Sequence, residues 1–357
     1  MQVGFFFWPF TPELTRAMAD AAERHAWDMV GVADTPGNAM DPWMAATMVA
    51  ERTTRPDVAI CVTNLTTRHP AVTAAAVASL DVISSGRAVL GVGAGHSGTK
   101  NLGVASASAT ALAEGVTFMK RLLTGEPAEY RGARAHLPWV KRAPKVLQAA
   151  SLPRSLAAAG AAADGVFVNY GLDATSLAAS ASHIARGAAS AGRTADALEV
   201  WQIACLDCHD DRDVARRKLG AILAFVSSYV IGSGDLAARG VPADKIAPLL
   251  ELRRRYSTRP GDADARLVDE LGLFDYLGGR LAIRGHPGRL PAPGARREGC
   301  GREAVHVHRE PRRRSAARGG AVRRQGPART SLVARVPVGK LFHTLARSGR
   351  DAKHGST

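Results

Sequence analysis

The chain has 357 residues, enough for one large α/β barrel of roughly 250 residues or for two ordinary domains. Its formal charge of +15 suggests nucleic acid or an anionic membrane as a partner, but residues 284–357 hold 18 Lys and Arg against four Asp and Glu, which is +14 of that charge. Residues 1–283 are nearly neutral and contain neither a bilayer-spanning apolar run nor a signal peptide's basic region, so we expect a cytoplasmic enzyme without a nucleic-acid or membrane partner.

Short apolar strands alternate with helices along the first third of the chain. Each connection is short, which predicts parallel strands joined by right-handed crossovers. The predicted strands are Val3–Phe7, Asp28–Asp34, Val58–Thr63 and Ala88–Val92, and the predicted helices run from Pro12 to about His25, from Pro42 to about Arg52, and from Pro70 to Ile83.

The same alternation continues to about residue 229. A hairpin with a turn at Arg131-Gly132 interrupts it. The predicted strands are Val146–Ala149, Gly165–Asn169 and Glu199–Leu206, the predicted helices are Ser106–Leu123, Pro153–Ala163, Ala174–Ala191 and 210–229, and further helical material lies within 233–274.

The helix from Pro70 leads through a turn into a buried strand and a glycine cluster. Small and apolar side chains recur every 3.6 residues or so, as on the apolar face of a helix, at Val72, Ala75, Ala76, Ser79, Leu80 and Ile83. Gly93, Ala94 and Gly95 follow the strand, where the backbone could approach a ligand or simply turn.

Three segments, 67–97, 146–172 and 204–244, resemble the bacterial luciferase-like superfamily, in the branch of methylenetetrahydromethanopterin reductase. The first reads TRHPAVTAAAVASLDVISSGRAVLGVGAGHS, and the resemblance runs from Gln2 to about Ile283. It implies a TIM barrel that binds coenzyme F-420, an 8-hydroxy-5-deazaflavin, or else FMN. The implied function is hydride transfer between F-420 and a small organic substrate, in a homodimer or a larger homo-oligomer.

Two alternatives remain open. The first is a monooxygenase of the same fold that uses reduced FMN and oxygen. The second is a non-catalytic chain, either an inactive relic or a nucleic-acid binder that acts through its basic end.

In TIM barrels the active site lies at the carboxyl ends of the strands. Asp34 and His96 are the catalytic candidates, although Asp34 could be a helix cap and His96 an ordinary loop residue. Thr35 stands where many deazaflavin-dependent relatives carry histidine, and His96 where some carry an acid. The predicted cofactor contacts are Asp34, Cys61, Val62, Thr63, Asn64, Ala94, Gly95, Ser151, Leu152, Arg154, Ser155 and Asn169.

Two of these contacts have specific roles. The start of the helix at Ser151–Ser155 suits an anion, and Arg154 could add positive charge. By the resemblance, the phosphate of the cofactor would bind there. A simple serine cap is the alternative. By the same resemblance, the Cys61–Val62 peptide bond would be cis, behind the cofactor ring.

The four cysteines do not indicate a metal site. Cys205, Cys208 and His209 spell C-x-x-C-H, which matches a c-type haem attachment site or a redox dithiol. The motif sits at the end of an apolar strand, so ordinary thiols are the favoured interpretation. Cys61 is predicted to be a buried strand residue.

The composition of the sequence changes after Ile283. Residues 284–357 are rich in Arg, Gly and Pro and offer no eighth strand, so we predict a barrel domain at 1–283 that lacks its last strand and helix, and a disordered basic tail. Two explanations of this segment remain open: a natural basic tail and a change of the coding frame. Codons that encode Arg284–Pro291 can be read one base later as Ala-Gly-Thr-Pro-Ala-Asp-Cys, similar to a turn of the superfamily, which favours the frame change.

Overall fold

The strands of this computed structural model form a barrel. The structure describes residues 2–208, 212–231, 234–257, 266–285 and 330–335. The strands are β1 Gln2–Phe7, β2 Met29–Val32, β3 Asp57–Asn64, β4 Ala88–Gly93, β5 Ala128–Tyr130, β6 Ala133–Ala135, β7 Lys145–Ala150, β8 Gly165–Val168, β9 Glu199–Cys208, β10 Ala282–Gly285 and β11 Thr330–Arg335. Parallel pairing runs through β1, β2, β3, β4, β7, β8 and β9 in that order, as predicted, while β5 and β6 make the predicted hairpin.

Helices follow the barrel strands. They are α1 Pro12–Arg24, α2 Pro42–Arg52, α3 Pro70–Ile83, α4 Ser97–Lys100, α5 Ala109–Leu123, α6 Pro153–Ala162, α7 Ala174–Ser190, α8 Arg212–Val230, α9 Ala243–Arg255, α10 Leu267–Glu270 and α11 Phe274–Leu281, with a 3-10 turn at Ala195–Ala197. Within the described parts of the chain, no helix combines the length and the apolarity needed to cross a membrane.

Local sequence explains why these helices begin where they do. A proline occupies the first turn of α1, α2, α3 and α6, where its missing N–H would have no partner in any case. The side chains of Thr11, Asp41, Ser108 and Asp173 each accept a hydrogen bond from a backbone N–H of the following turn. Most predicted helix starts are therefore confirmed to within a residue or two.

The eighth position of the barrel is unusual. Strand β10 is parallel to β9 but has four residues and pairs with β9 alone. The prediction of a TIM barrel without an ordinary eighth strand is therefore confirmed. A barrel without its eighth strand is expected to leave unpaired edges on its first and seventh strands, which are β1 and β9. This expectation is wrong, because β11 pairs antiparallel with both. The division at residue 283 stays a prediction, since 286–329 and 336–357 lie outside the described residues.

The buried face of α3 differs from the predicted one. Val72, Ser79 and Ile83 are exposed or nearly half-exposed, whereas Val77 and Ala78 are buried against the barrel. The helix is apolar on nearly every side, so periodicity could not distinguish its inner face from its outer face. Of the predicted stripe, only Leu80 is buried.

The barrel interior is filled with side chains. Phe6, Met29, Leu147, Phe167 and Trp201 belong to one buried cluster, which continues into the helices α8 to α11. A Cβ atom at Gly91 would lie 2.4 Å from the Ile60 carbonyl oxygen and 2.9 Å from the Phe167 ring, so the wall has no spare room there. A ligand must therefore bind at one end of the barrel.

Candidate active site

The carboxyl ends of neighbouring strands meet at one end of the barrel. In the sheet, Asn64 at the end of β3 is opposite Gly93 at the end of β4, and Ala150 at the end of β7 is opposite Val168 at the end of β8. Because β4 and β7 are also paired, the loops that follow these strands are neighbours. The predicted site residues other than Asp34 lie in these loops, at the start of α6 or in the last four residues of β3.

Asp34 follows β2 and is held by β3. The Thr63 hydroxyl donates a hydrogen bond of 2.6 Å to Asp34 Oδ2. Burial raises the pKa of the Asp34 carboxyl above its ordinary value, while the hydrogen bond from Thr63 opposes the rise. The carboxyl group can therefore exchange a proton closer to neutral pH than an exposed aspartate can.

The short helix α4, which we did not predict, packs against the loop after β2. The hydroxyls of Thr35 and Ser97 lie 3.2 Å apart, and both residues are buried. A Cβ atom at Gly98 would lie 3.3 Å from the Asp34 carbonyl oxygen. Thr35 thus connects the loop after β2 to the start of α4.

His96 directly precedes α4. Burial, with the nearby charges of Lys100 and Arg253, lowers the pKa of its imidazole to about 4. Its ring meets the Phe225 ring edge to face, with the centroids 5.9 Å apart. The imidazole is therefore neutral at pH 7, and between the two catalytic candidates Asp34 is better suited to carry the proton.

Asn64 and Cys61 occupy the end of β3. The side-chain oxygen of Asn64 accepts hydrogen bonds from the backbone N–H groups of Thr66 and Thr67, at 3.0 and 2.9 Å. Only its amide nitrogen is left for the predicted cofactor contact. The Cys61–Val62 peptide bond is cis, as the resemblance implies. Burial raises the pKa of the Cys61 thiol to about 12.

Ala94 and Gly95 lie between β4 and α4. Ala94 is exposed, and Gly95 has a φ of +95°, a conformation that suits glycine. A Cβ atom at Gly95 would lie 2.4 Å from Thr99 Cγ2, so the loop is close-packed on its helix side. The glycine cluster is thus a tight turn whose exposed side could still face a ligand.

The start of α6 has an incomplete cap. The cap position is Leu152, which has no side-chain acceptor, so Ser151 does not occupy the cap position. The Ser155 hydroxyl accepts from the Leu152 N–H at 3.1 Å and donates to the Leu152 carbonyl at 2.9 Å. Arg154 is exposed and forms no ion pair with any described residue. The first turn therefore offers backbone donors and a cation to an anion.

Asn169 lies at the end of β8. It is buried, and its N–H donates to the Ala150 carbonyl at 3.0 Å, which ties the ends of β7 and β8 together. The next residue, Tyr170, is also buried, with the Arg239 guanidinium 5.7 Å from its ring centroid. Asn169 thus lies close to the start of α6.

Two other features do not compete with this site. Cys205 is buried, and burial raises the pKa of its thiol to about 12. His209 lies outside the described residues. Among the residues that the structure does describe, no cluster of metal-ligating side chains occurs. A cavity of about 550 Å³ opens at the opposite, amino end of the barrel, but four of its five charged side chains already form the pairs Lys120–Asp164 and Lys145–Glu199.

The chain is similar to known proteins over most of its length. The model of the family described as luciferase-like monooxygenase matches residues 8–280. A 5,10-methylenetetrahydromethanopterin reductase of Methanolobus tindarius is 32% identical over 246 residues, which are 66% of this chain and 73% of the relative.

Solved structures agree with the sequence comparison. The coenzyme F-420-dependent tetrahydromethanopterin reductase of Methanopyrus kandleri superposes with a TM-score of 0.65 at 25% identity, covering 81% of this chain and 88% of its own. The FMN complex of a Baeyer–Villiger monooxygenase component of Pseudomonas putida has a TM-score of 0.51 at 19% identity, covering 80% and 91%, and shows the shared fold alone.

Proposed function

The chain belongs to the luciferase-like monooxygenase family, and from this premise we propose that it transfers hydride between coenzyme F-420 and a small organic substrate. The observation that carries the proposal is that one end of the barrel holds both a half-buried acid, whose pKa burial raises, and a helix start without a side-chain cap. Similarity to the reductases above supports F-420 as the cofactor.

The residues at the start of α6 fit the phosphate of such a cofactor. Leu152 leaves the N–H groups of the first turn without a side-chain acceptor, and Arg154 is a cation without a described counter-ion. A phosphate there would meet backbone donors, the helix dipole and a guanidinium together. Ser151 and Ser155 would flank it.

The carboxyl ends of the strands would surround the cofactor ring. We assign this role to Cys61, Val62, Thr63, Asn64, Ala94, Gly95 and Asn169. When bound, F-420 supplies the hydride chemistry of its deazaflavin ring, and the protein supplies orientation and electrostatics. Asp34 holds the proton that accompanies the hydride, with Thr63 fixing the direction of its carboxylate. His96 is a neutral polar group at the edge of the site.

Absorbance titration of the full-length protein with F-420 and, separately, with FMN tests the proposal. We expect F-420 to bind more tightly. Tighter binding of FMN would favour the monooxygenase alternative. Binding of neither cofactor by a folded protein would favour the non-catalytic alternative.

We further propose that the protein is a homodimer joined through the outer surface of α2 and α3, the α2–α3 face. Arg68 joins the starts of the two helices, because it pairs with Asp41 and stacks on Trp43. Four of the eight large apolar side chains that are exposed in the described residues lie on this face: Met44, Val72, Val82 and Ile83.

Such a face suits a second copy of the chain. The only charged side chain of α3, Asp81, is buried and paired with Arg142, so the outer side of α3 is uncharged and can meet its own copy without repulsion. Sedimentation should find a dimer that Val82→Glu dissociates, whereas Trp139→Glu, a change at an exposed site on a loop, leaves it intact. A monomeric wild type would refute this part.

A further inference from the structure

The strand between β9 and β1 runs against the direction of the strands on either side of it. Strand β11 pairs antiparallel with β1, from Thr330 opposite Phe7 to Arg335 opposite Gln2. It pairs antiparallel with β9 as well. Every other pair of neighbouring strands in the described part of the barrel is parallel. Strand β11 therefore enters the sheet from the carboxyl end of the barrel.

This direction excludes the usual way of placing a barrel strand. A crossover connection returns the chain to the amino end, so the strand that follows it is parallel to the strand before it. An antiparallel strand cannot be delivered in this way. Main-chain pairing with β1 and β9 is thus what places β11, which is how a sheet edge binds an added peptide strand.

Strand β10 leaves the gap between β9 and β1 open. Cys205 of β9 has two partners, Ala282 of β10 and Ser331 of β11, so β10 and β11 lie on opposite edges of β9. Strands β8 and β11 are likewise on opposite edges, since both pair with Gln202. Strand β10 therefore continues the edge that β8 occupies, and of the described strands only β11 lies between β9 and β1.

The gap has apolar walls on both faces of the sheet. Phe5 and Ala204 flank one position of β11 and belong to one buried cluster, whereas Phe6 and Cys205 flank the preceding position and belong to another. A strand that is covered on both faces needs uncharged residues. Residues 331–334 read Ser-Leu-Val-Ala, an uncharged run in an otherwise basic segment.

We propose that the gap between β9 and β1 is a strand-binding site, which accepts an extended peptide with an uncharged centre in antiparallel orientation. Residues 330–335 are its occupant in this chain. Main-chain hydrogen bonds supply the binding, and the two apolar faces exclude peptides with charged residues or proline at the centre. Because no crossover delivers the occupant, a separate peptide of the same sequence binds in the same way.

Paired cysteine substitutions in the full-length protein test the occupant and its direction. Gln2→Cys with Arg335→Cys places two thiols on directly opposite residues. The Cα atoms of such a pair are about 4.5 to 5.5 Å apart, within the range of a disulfide. Mild oxidation should join the two cysteines within one chain, as shown by mass spectrometry of proteolytic fragments.

Two matched pairs test the alternatives. Gln2→Cys with Thr330→Cys places the thiols at opposite ends of the gap, about 17 Å apart along the strand, unless β11 is parallel. Gln2→Cys with Arg347→Cys tests another uncharged run, LFHTLA at 341–346, which lies outside the described residues. Both pairs should oxidise at least about tenfold more slowly than the first pair. Equal rates for all three pairs, or a faster rate for either alternative, would overturn the proposal.

A proline variant and an added peptide test binding of a separate strand. Val333→Pro removes a main-chain N–H from the centre of β11 and should lower the melting temperature of the full-length protein by about 5 to 10 °C. A peptide of residues 328–337 at millimolar concentration, which is the order at which a tethered segment is present, should restore most of the loss. The same peptide with Val333 replaced by proline should restore none.

The outcomes separate the two parts of the proposal. An unchanged melting temperature of Val333→Pro would show that β11 does not occupy the gap. A lowered melting temperature that both peptides restore equally, or that neither restores, would refute binding of a separate strand. If the variant does not fold, the oxidation rates of the three cysteine pairs decide.

Discussion

The two ends of the barrel use the same kinds of charged residues in opposite ways. At the amino end, Arg87 donates five hydrogen bonds to carbonyl and hydroxyl oxygens, and Glu199 accepts from both Lys145 and the Trp201 indole. At the carboxyl end, Asp34 has one described hydrogen-bond partner, and Arg154 has no described ion pair.

The difference separates stability from function. Saturated groups at the amino end join strands and helices and have no bonding capacity left for a ligand. Groups at the carboxyl end keep unused donors, acceptors and charge, which is what binding and proton transfer require. A substitution at one end should therefore change mainly one of these two properties, and both can be measured on the same variant.

The largest expected effect is at the amino end. Glu199→Ala removes a carboxylate that is 5% exposed and leaves the Trp201 N–H buried without its acceptor. We expect a loss of about 3 kcal/mol in the free energy of unfolding, at the low end for a broken buried pair because Lys145 is half-exposed. Urea unfolding measures it, and F-420 affinity should not change. Glu129→Ala, at an exposed position of the hairpin, should be nearly neutral. A stable Glu199→Ala protein that no longer binds F-420 would contradict the comparison.

The next effect is at the carboxyl end. Arg154→Ala should weaken F-420 binding by about 1.5 to 3 kcal/mol, the range for a hydrogen bond to a charged group, because the phosphate loses its guanidinium. The melting temperature of the protein without cofactor should stay nearly unchanged. Arg16→Ala on α1 serves as the control. If the variant lost stability but still bound the cofactor, Arg154 would have a structural role instead.

The smallest effect concerns stability as a function of pH. Because burial raises the pKa of Asp34, its contribution to stability is fully present below the ordinary pKa of an aspartate and is lost as the pH rises through the raised pKa. The Asp34→Asn protein should therefore gain stability relative to the wild type between acidic and neutral pH, while losing hydride transfer. Urea unfolding across that range measures the gain, with exposed Asp196→Asn as control. If the Asp34→Asn protein instead lost stability relative to the wild type as the pH rose, the carboxylate would be stabilised by a structural partner and the expected sign would be wrong.

Much of the site was predictable because it depends on strand ends. The main parts of the site lie at or just after the ends of apolar strands, which are clear in the sequence. They are Asp34, the end of β3, the Gly93–Gly95 turn and the start of α6. The bonds between loops were not predictable. Nothing in the four residues of α4 predicts a helix, so neither the Thr35–Ser97 contact nor the approach of Gly98 to Asp34 could be foreseen.

The fold shows the same limit. Capping residues and prolines predict where the helices start. The buried face of α3 is not predictable in the same way, because an alanine-rich helix has no polar side to mark its outer face. The sequence around β11 does not predict a strand, because its six residues are only moderately apolar and lie within a basic segment. Its place is set by the unpaired edges of β1 and β9, which is a property of the whole barrel.

The most direct test of this division between the two ends is amide hydrogen exchange with and without F-420. The account predicts slower exchange on binding in residues 60–66, 93–101 and 150–156 at the carboxyl end, and no change in residues 81–88, 142–146 and 196–200 at the amino end. Protection confined to the amino-end segments would contradict it.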